Sequence, residues 1–491
     1  MLAHLPVLHV IIPMMAAPAC LILRRRDLVW FVALAATLMS VAVSIGLLVQ
    51  VLESGPISYE FGGWEAPWGI EYRIDLLNAP LLLLVSGISA VALFAARTSI
   101  AAEIPKDRHA LFYIAWLLCM AGLLGILATG DAFNVFVFLE ISSLSAYTLI
   151  ALGKNRKALW ASYQYLIAGT IGATFILIGI GLMYMMTGTL NMADLSERLP
   201  EVSSSRTVFT AFAFFIVGVC LKLALFPLHV WLPNAYAYAP SVVTAFLAAT
   251  ATKVAVYILI RFKYGVFGFD FAFSSLPLQS IFLTLGFAGI FVASIAAIYQ
   301  HNLKKLLAYS SVAQIGYLIV GLGLANESGL MATLLHMLNH GLMKGALFLA
   351  LAAIVYRLGE AKLSEMHGLA SRMPWTMAAF LIGGLSLIGV PLTVGFVSKW
   401  YLVTAALEHD WWPVAGLILL GSIVSVIYIW KVVEIVYFKA ANERTADVRE
   451  APLSILAPTW VLVAANLYFG INTELTVGIT RMAAASIFGG L

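Results

Sequence analysis

Charge is what this chain of 491 residues has least of: Asp, Glu, Lys and Arg make up 11% of it, against 62% hydrophobic residues. Soluble domains carry about 25% charged residues, so a soluble fold is excluded and a membrane protein is expected. Cysteine is nearly absent too. Cys20, Cys119 and Cys220 stand singly in apolar segments without a CxxC pair, which excludes a disulfide framework, a zinc site or an iron–sulfur site as a reading. There is no P-loop, Rossmann glycine pattern, HExxH or GxSxG, so ATP-driven pumping by this chain alone and the familiar hydrolytic chemistries drop out. No metal, cofactor or nucleic-acid partner is expected. Two-residue alternation is missing as well, while apolar runs last 20 residues or more. That excludes an outer-membrane barrel and leaves an all-α polytopic protein.

The start, MLAHLPVLHVIIPMMAAPACLILRRRD, carries its positive charge after the apolar stretch, so it reads as a retained first span rather than a secretory signal. About fourteen transmembrane spans are predicted: 4–23, 28–52, 74–97, 110–129, 131–152, 159–187, 207–237, 241–262, 275–299, 303–324, 328–356, 375–405, 411–438 and 452–471. If the loop with Arg24, Arg25 and Arg26 is cytoplasmic, alternate loops on that side hold 17 Lys and Arg and the opposite loops six. Those six include Arg261 and Lys263. The bias supports an even span count with both termini outside. One cytoplasmic loop, PNAYAYAPS (233–241), has no charge.

Two predicted spans are unusually long and interrupted: 207–237 at Pro227, and 375–405 around LIGVPLTVGFVSKW, which contains Pro391. Paired interruptions suggest two inverted five-helix repeats with breaks in helices 7 and 12. The expected organisation is an N-terminal group of three spans with an extracellular loop (1–109), a first repeat (110–262), a second (263–440) and a last span (441–491).

Five of the 28 basic residues remain inside spans: Lys222, Lys253, Lys344, Lys399 and Lys431. Lys431 is near a span end and can snorkel to the interface. A cation at the bilayer centre costs about 2.5–3.5 kcal/mol on insertion scales, so the other four need partners. Glu140, about two and a half turns into its helix with Ser142, Ser143 and Ser145 nearby, is the obvious one for Lys222. At about 4 Å and an effective dielectric near 20, such a pair attracts by roughly 4 kcal/mol. Closing it holds a proton on the lysine and opening it lets the proton go. Pro227 frees carbonyls that are expected to face protein or water, which would hydrate Lys222, and His229 would extend that route.

Lys253 lies mid-span beside Thr250 and Thr252 and reads as a relay rather than an anchor. His336, His340 and Lys344 recur every four residues, a single stripe on one helix. Lys399 follows the second break, where snorkelling from a half-helix is the bland alternative. Lys304 and Lys305 are either plain positive-inside residues, or one of them turns inward.

Five ordered stretches carry a resemblance: DAFNVFVFLEISSLSAYTLIAL, the Lys222 helix with FPLHVWLPNAYAYAPS, NLKKLLAYSSVAQIGYLIVG, LLHMLNHGLMKGALFLA and LIGVPLTVGFVSKWYL. Together, over about 110–440, they resemble the antiporter-like membrane subunits shared by respiratory complex I, membrane-bound hydrogenases and Mrp-type cation/proton antiporters. The resemblance implies fourteen helices, the inverted repeats and a mid-membrane row of titratable residues. In that row Glu140 is the fifth-helix acid and Lys222 its partner. Lys253 is the eighth-helix bridge, His336 and His340 are the eleventh-helix histidines, and Lys399 is the terminal residue. The stretch at 59–84 is similar to the D-type subunits of Mrp antiporters. That implies a secondary-transporter subunit in a bacterial inner membrane, exchanging H⁺ for Na⁺ alongside partners of the Mrp A, B, C, E, F and G types. A redox-driven proton-pump subunit and a non-conducting scaffold are the alternatives.

Overall fold

The computed structural model describes residues 2–23, 26–269, 271 and 277–489. Arg24 and Arg25, which count towards the loop-charge bias, lie outside the described residues. The first helices are α1 (Leu5–Ile22), α2 (Arg26–Ser54) and α3 (Ala79–Glu103). Next come α4 (His109–Ala128), α5 (Ala132–Ala151), α6 (Lys157–Thr187), the short α7 (Met192–Arg198), α8 (Arg206–Leu223), α9 (Trp231–Tyr238), α10 (Ser241–Ala249) and α11 (Ala251–Gly265). The second half holds α12 (Leu278–Ile298), α13 (Leu303–Gly323), α14 (Glu327–Leu358), α15 (Pro374–Ile388), α16 (Val394–Leu407) and α17 (Trp412–Val433). Two more, α18 (Leu453–Ile471) and α19 (Glu474–Phe488), complete the described chain.

Among the described residues thirteen helical stretches are long and apolar enough to cross a bilayer. The shorter α15 and α16, in series across a break, make one more crossing, so the fold is the expected all-α bundle. In the most apolar 18-residue window of the α10–α11 stretch, and in that of α13, 94% of residues are buried, against 39% in those of α6 and α12. The former are the centre of the molecule and the latter its lateral wall.

The repeat is visible in backbone hydrogen bonds. Asp131 caps α5 by accepting from the Asn134 amide, and Asn302 caps α13 by accepting from the Lys305 amide. Asp131 bridges to Asn191 and Asn302 to Lys362, both over a separation of 60 residues. Ala132 donates to the Leu190 carbonyl and Met192 to Gly130 (2.8 and 2.9 Å). Leu303 donates to Ala361 and Leu363 to His301 in the same pattern (2.7 and 2.9 Å). Five crossings separate the two arrangements (α5, α6, α8–α9, α10–α11 and α12), so they lie on opposite faces. That is an inverted repeat.

Several local expectations are corrected. Residues 57–74 contain a β-hairpin, β1 (Ile57–Glu60) paired antiparallel with β2 (Glu71–Ile74), Ile57 opposite Ile74. It delays α3 to Ala79, five residues after the predicted start of that span. Four-residue strands show too little alternation to stand out from a loop. α19 was not anticipated either. It buries only one face, through Val477, Thr480, Ala483 and Ala484, and its exposed face dilutes the hydropathy that marks a span.

The first break begins before Pro227. α8 ends at Leu223, and Ala224 takes a left-handed conformation (φ 60°) that closes the helix. Two carbonyls at the end of α8 are met within the chain. Leu225 N–H donates to Cys220 (3.0 Å), and the Trp231 indole donates to Leu221 (3.0 Å). Pro227 and Val230 point outward, Val230 being 67% exposed. The proline itself thus marks the lateral surface rather than an internal cavity. The predicted continuous span 241–262 is also interrupted, at Thr250 (φ −124°, ψ −60°), whose hydroxyl donates to the Phe246 carbonyl (2.7 Å). Lys263, expected near an outer loop, is fully buried and donates to Leu322 O (3.2 Å).

Candidate functional site

The structure brings Glu140 and Lys222 together. Lys222 Nζ lies 3.7 Å from Glu140 Oε1 and donates to Ser143 Oγ at 2.9 Å. Ser143 is three residues beyond Glu140 on α5, so one helical face supplies both contacts. Beside Lys222 is a cavity of about 40 Å³ lined by Ser142, Ser143, Tyr165, Trp231 and Thr252 among others. It exceeds the roughly 10–15 Å³ a water molecule needs, and it joins Lys222 to the residue preceding Lys253.

Lys253 follows the Thr250 interruption and donates to Ala248 O, a carbonyl of the preceding helix. This pattern recurs. Lys399 donates to Leu387 O and Ile388 O (3.0 Å each), the last carbonyls of α15, and its Nζ lies 4.6 Å from the centre of the Tyr317 ring. Lys344 donates to Leu307 O (2.9 Å) and to Ser310 Oγ. Three buried lysines therefore rest on carbonyl or hydroxyl oxygen, and none of them forms an ion pair among the described residues. The break before Lys399, with Gly389 at φ 96° and Pro391 in its linker, supplies oxygens that a continuous helix keeps for itself.

The α14 stripe is buried throughout. The His336 and His340 rings stack with centroids 5.8 Å apart and planes 4° apart. His336 Nδ1 meets Ser398 Oγ at 2.8 Å, which links the stripe to α16 one residue before Lys399. His229 sits in the break, between α8 and α9. It lies half-buried between Phe226 (5.3 Å) and Tyr309 (6.4 Å) on the flank.

Lys304 and Lys305 separate cleanly. Lys304 turns inward, 3.5 Å from Glu103 Oε2, and donates to Ala239 O at 2.9 Å. Lys305 stays at the surface over the Tyr238 ring (5.7 Å), as does Lys157 (5.8 Å). Glu103, which sequence reasoning missed, also accepts from Ser241 N–H and Oγ (2.9–3.1 Å) and from Ser99 Oγ (3.2 Å). It ties α3, α10 and α13 together under a cavity of about 540 Å³ that Lys154, Lys157, His301 and Lys304 help to line. The uncharged loop 233–241 is thus held by charges from other segments. Removing one partner of a buried pair costs about 3–5 kcal/mol. Glu103→Ala is therefore expected to speed amide hydrogen exchange at 239–244, and unchanged exchange there would refute the tie.

An inverted-repeat membrane bundle with a row of buried ionisable residues at its helix breaks is the architecture of an ion-translocating membrane subunit. Residues 129–427 match the family described as NADH:quinone oxidoreductase/Mrp antiporter, transmembrane, and the chain belongs to that family. It is 41% identical over 489 residues to the NADH-quinone oxidoreductase subunit N of Desulforudis audaxviator, covering 96% of this chain and 97% of that protein. It is 30% identical over 432 residues to the D-type subunit of the Na(+)/H(+) antiporter of Alkalihalophilus pseudofirmus, covering 88% and 86%. A chain of the Mrp complex from Dietzia sp. DQ12-45-1b superposes with TM-score 0.90 at 25% identity, covering 99% of this chain and 97% of that one. A chain of the archaeal membrane-bound sulfane sulfur reductase does so with TM-score 0.88 at 30% identity, covering 99% and 97%.

Proposed function

We propose that this chain carries protons along the row Glu140, Lys222, Lys253, His340, His336 and Lys399, with Lys344 alongside it. It would do so as one member of a hetero-oligomeric complex in a bacterial inner membrane. The observation that carries this reading is the chemistry of the lysines. A capping role alone could be met by serine or asparagine without placing an ionisable amine in the membrane, and the expense of that amine argues for a group whose proton comes and goes. The 3.7 Å pair at one end supplies a counter-charge that can be made or broken.

Partners are implied by Glu140 itself. Its side chain is 27% exposed, on a face of α5 that also exposes Phe133 (44%) and Leu144 (54%). A carboxylate facing lipid is unfavourable, so a neighbouring subunit of the Mrp A, B, C, E, F or G type is the fitting cover. The finer reading is exchange of H⁺ for Na⁺ or another monovalent cation. The second, a redox-driven pump subunit, is favoured by the 41% identity to a subunit N over nearly the whole chain. Vesicles holding the assembled complex separate the two: internal pH responds to a Na⁺ gradient in one case, and to quinone-linked electron transfer in the other. Lys253→Met is expected to stop proton movement under whichever driving force operates. Wild-type flux in that variant would leave the scaffold reading standing.

A further inference from the structure

Gln314 on α13 is fully buried, and neither atom of its amide meets a hydrogen-bond partner among the described residues. His340 on α14 is fully buried, and neither of its ring nitrogens has one either. Buried polar groups almost always find partners, so two such residues at one level are unusual.

Their level follows from the helix register. Residues 324–326 join α13 to α14, so the two helices run antiparallel. Lys344 Nζ meets Ser310 Oγ, the His336 and Tyr317 rings are 6.1 Å apart, and Thr333 Oγ1 donates to Leu318 O at 3.2 Å. Ser310, Gln314 and Tyr317 recur at four and three residues on one face of α13, and Lys344, His340 and His336 at four and four on the facing side of α14. Between the two pinned pairs, Gln314 stands opposite His340. Four residues of helix rise about 6 Å, too far for Lys344 to reach His340 directly.

From this juxtaposition we infer a water-binding site between Gln314 and His340, in which Gln314 is a positioning residue of the proton row. A primary amide has two donor hydrogens and an accepting oxygen, and it neither gains nor loses a proton. It can accept from a water on the Lys344 side while donating to one on the histidine side, so a continuous hydrogen-bonded path crosses a gap that side chains alone leave open. The histidine stripe then has a neutral wall that orients water without competing for the proton.

This rests on the proton-carrying reading above, and the test keeps the two apart. In vesicles holding the assembled complex, Gln314→Met, of similar length but apolar, is expected to slow proton movement at least tenfold. Gln314→Ala, which opens room for water, should retain more activity than Gln314→Met. A residue that merely packs gives the reverse order, because alanine leaves the larger cavity. That order, or a wild-type rate in Gln314→Met, overturns the proposal. An experimental structure of the wild-type complex decides the site without any variant: water density within hydrogen-bond reach of both Gln314 and His340 is expected. Its absence, where waters are seen elsewhere along the row, refutes it. Glu140→Ala is measured alongside, and wild-type flux in that variant would reject the proton-carrying reading rather than the water site.

Discussion

Glu140→Ala in the assembled complex should abolish proton-coupled transport while leaving the complex in the membrane. At 3.7 Å and an effective dielectric near 20, the carboxylate contributes roughly 4 kcal/mol of attraction to Lys222, which corresponds to about a thousandfold in an equilibrium constant. Without it the lysine keeps, among the described residues, Ser143 Oγ, a neutral acceptor that holds a charged and an uncharged amine with far less discrimination. The pair therefore ceases to be a switch, although α5 and α8 each remain packed against α6. Glu140→Gln should behave nearly like alanine, because the amide keeps the shape and loses the charge, whereas Glu140→Asp should retain part of the rate. Fluorescent-dye measurement of vesicle pH reads all three. Equal rates for the wild type and Glu140→Gln would show that the contact is structural.

How much of this was legible in the sequence depends on cost. Ionisable groups inside spans are expensive, so Glu140, Lys222, Lys253, Lys399 and the His336–His340–Lys344 stripe announce themselves. The four-residue spacing of His336 and His340 then predicts the stacked pair that the structure shows. Gln314 was silent because an uncharged amide in an apolar helix raises no comparable alarm. The interruption at Thr250 was hidden for a related reason. No proline or glycine marks it, and only the hydroxyl bond to Phe246 shows how the helix tolerates it. Lys304 and Lys305 are adjacent, and their directions follow from Glu103, whose sequence position 201 residues away gives no hint of contact. The same holds for the loop 233–241. A charge tally by segment cannot see that Glu103, Lys157, Lys304 and Lys305 converge on it. The breaks at 227 and 391 were legible as breaks, but which carbonyls they free and what meets them required the packing of Trp231 and Lys399.

The second large effect lies at the face opposite the lysine-rich loops. Asp75, just after β2, makes a paired contact with Arg261 near the end of α11: Arg261 Nη1 donates to Oδ2 at 2.7 Å and Nη2 to Oδ1 at 2.9 Å. The same carboxylate accepts from Leu77 N–H (3.0 Å), and the two side chains are only 18% and 17% exposed. Asp75 therefore fastens the N-terminal hairpin and the start of α3 to one of the two most enclosed spans. Asp75→Ala strands a buried guanidinium, a loss of about 3–5 kcal/mol, and should lower the melting temperature of the purified complex by several degrees. Arg261→Lys should recover little, because a single ammonium cannot make both parallel bonds. The pH dependence has a definite sign. Burial alone would raise the Asp75 carboxyl, but the Arg261 guanidinium outweighs it and holds the group below the usual carboxylate range. A depressed folded-state value means that the pair's contribution is complete above the unfolded-chain value, near 4, and is lost as the pH falls through the lower folded value. Wild-type and Asp75→Ala melting curves should thus lie well apart at pH 7 and converge in acid. A gap that persists unchanged below pH 3 would show that the carboxylate's charge is not what holds the hairpin to the bundle.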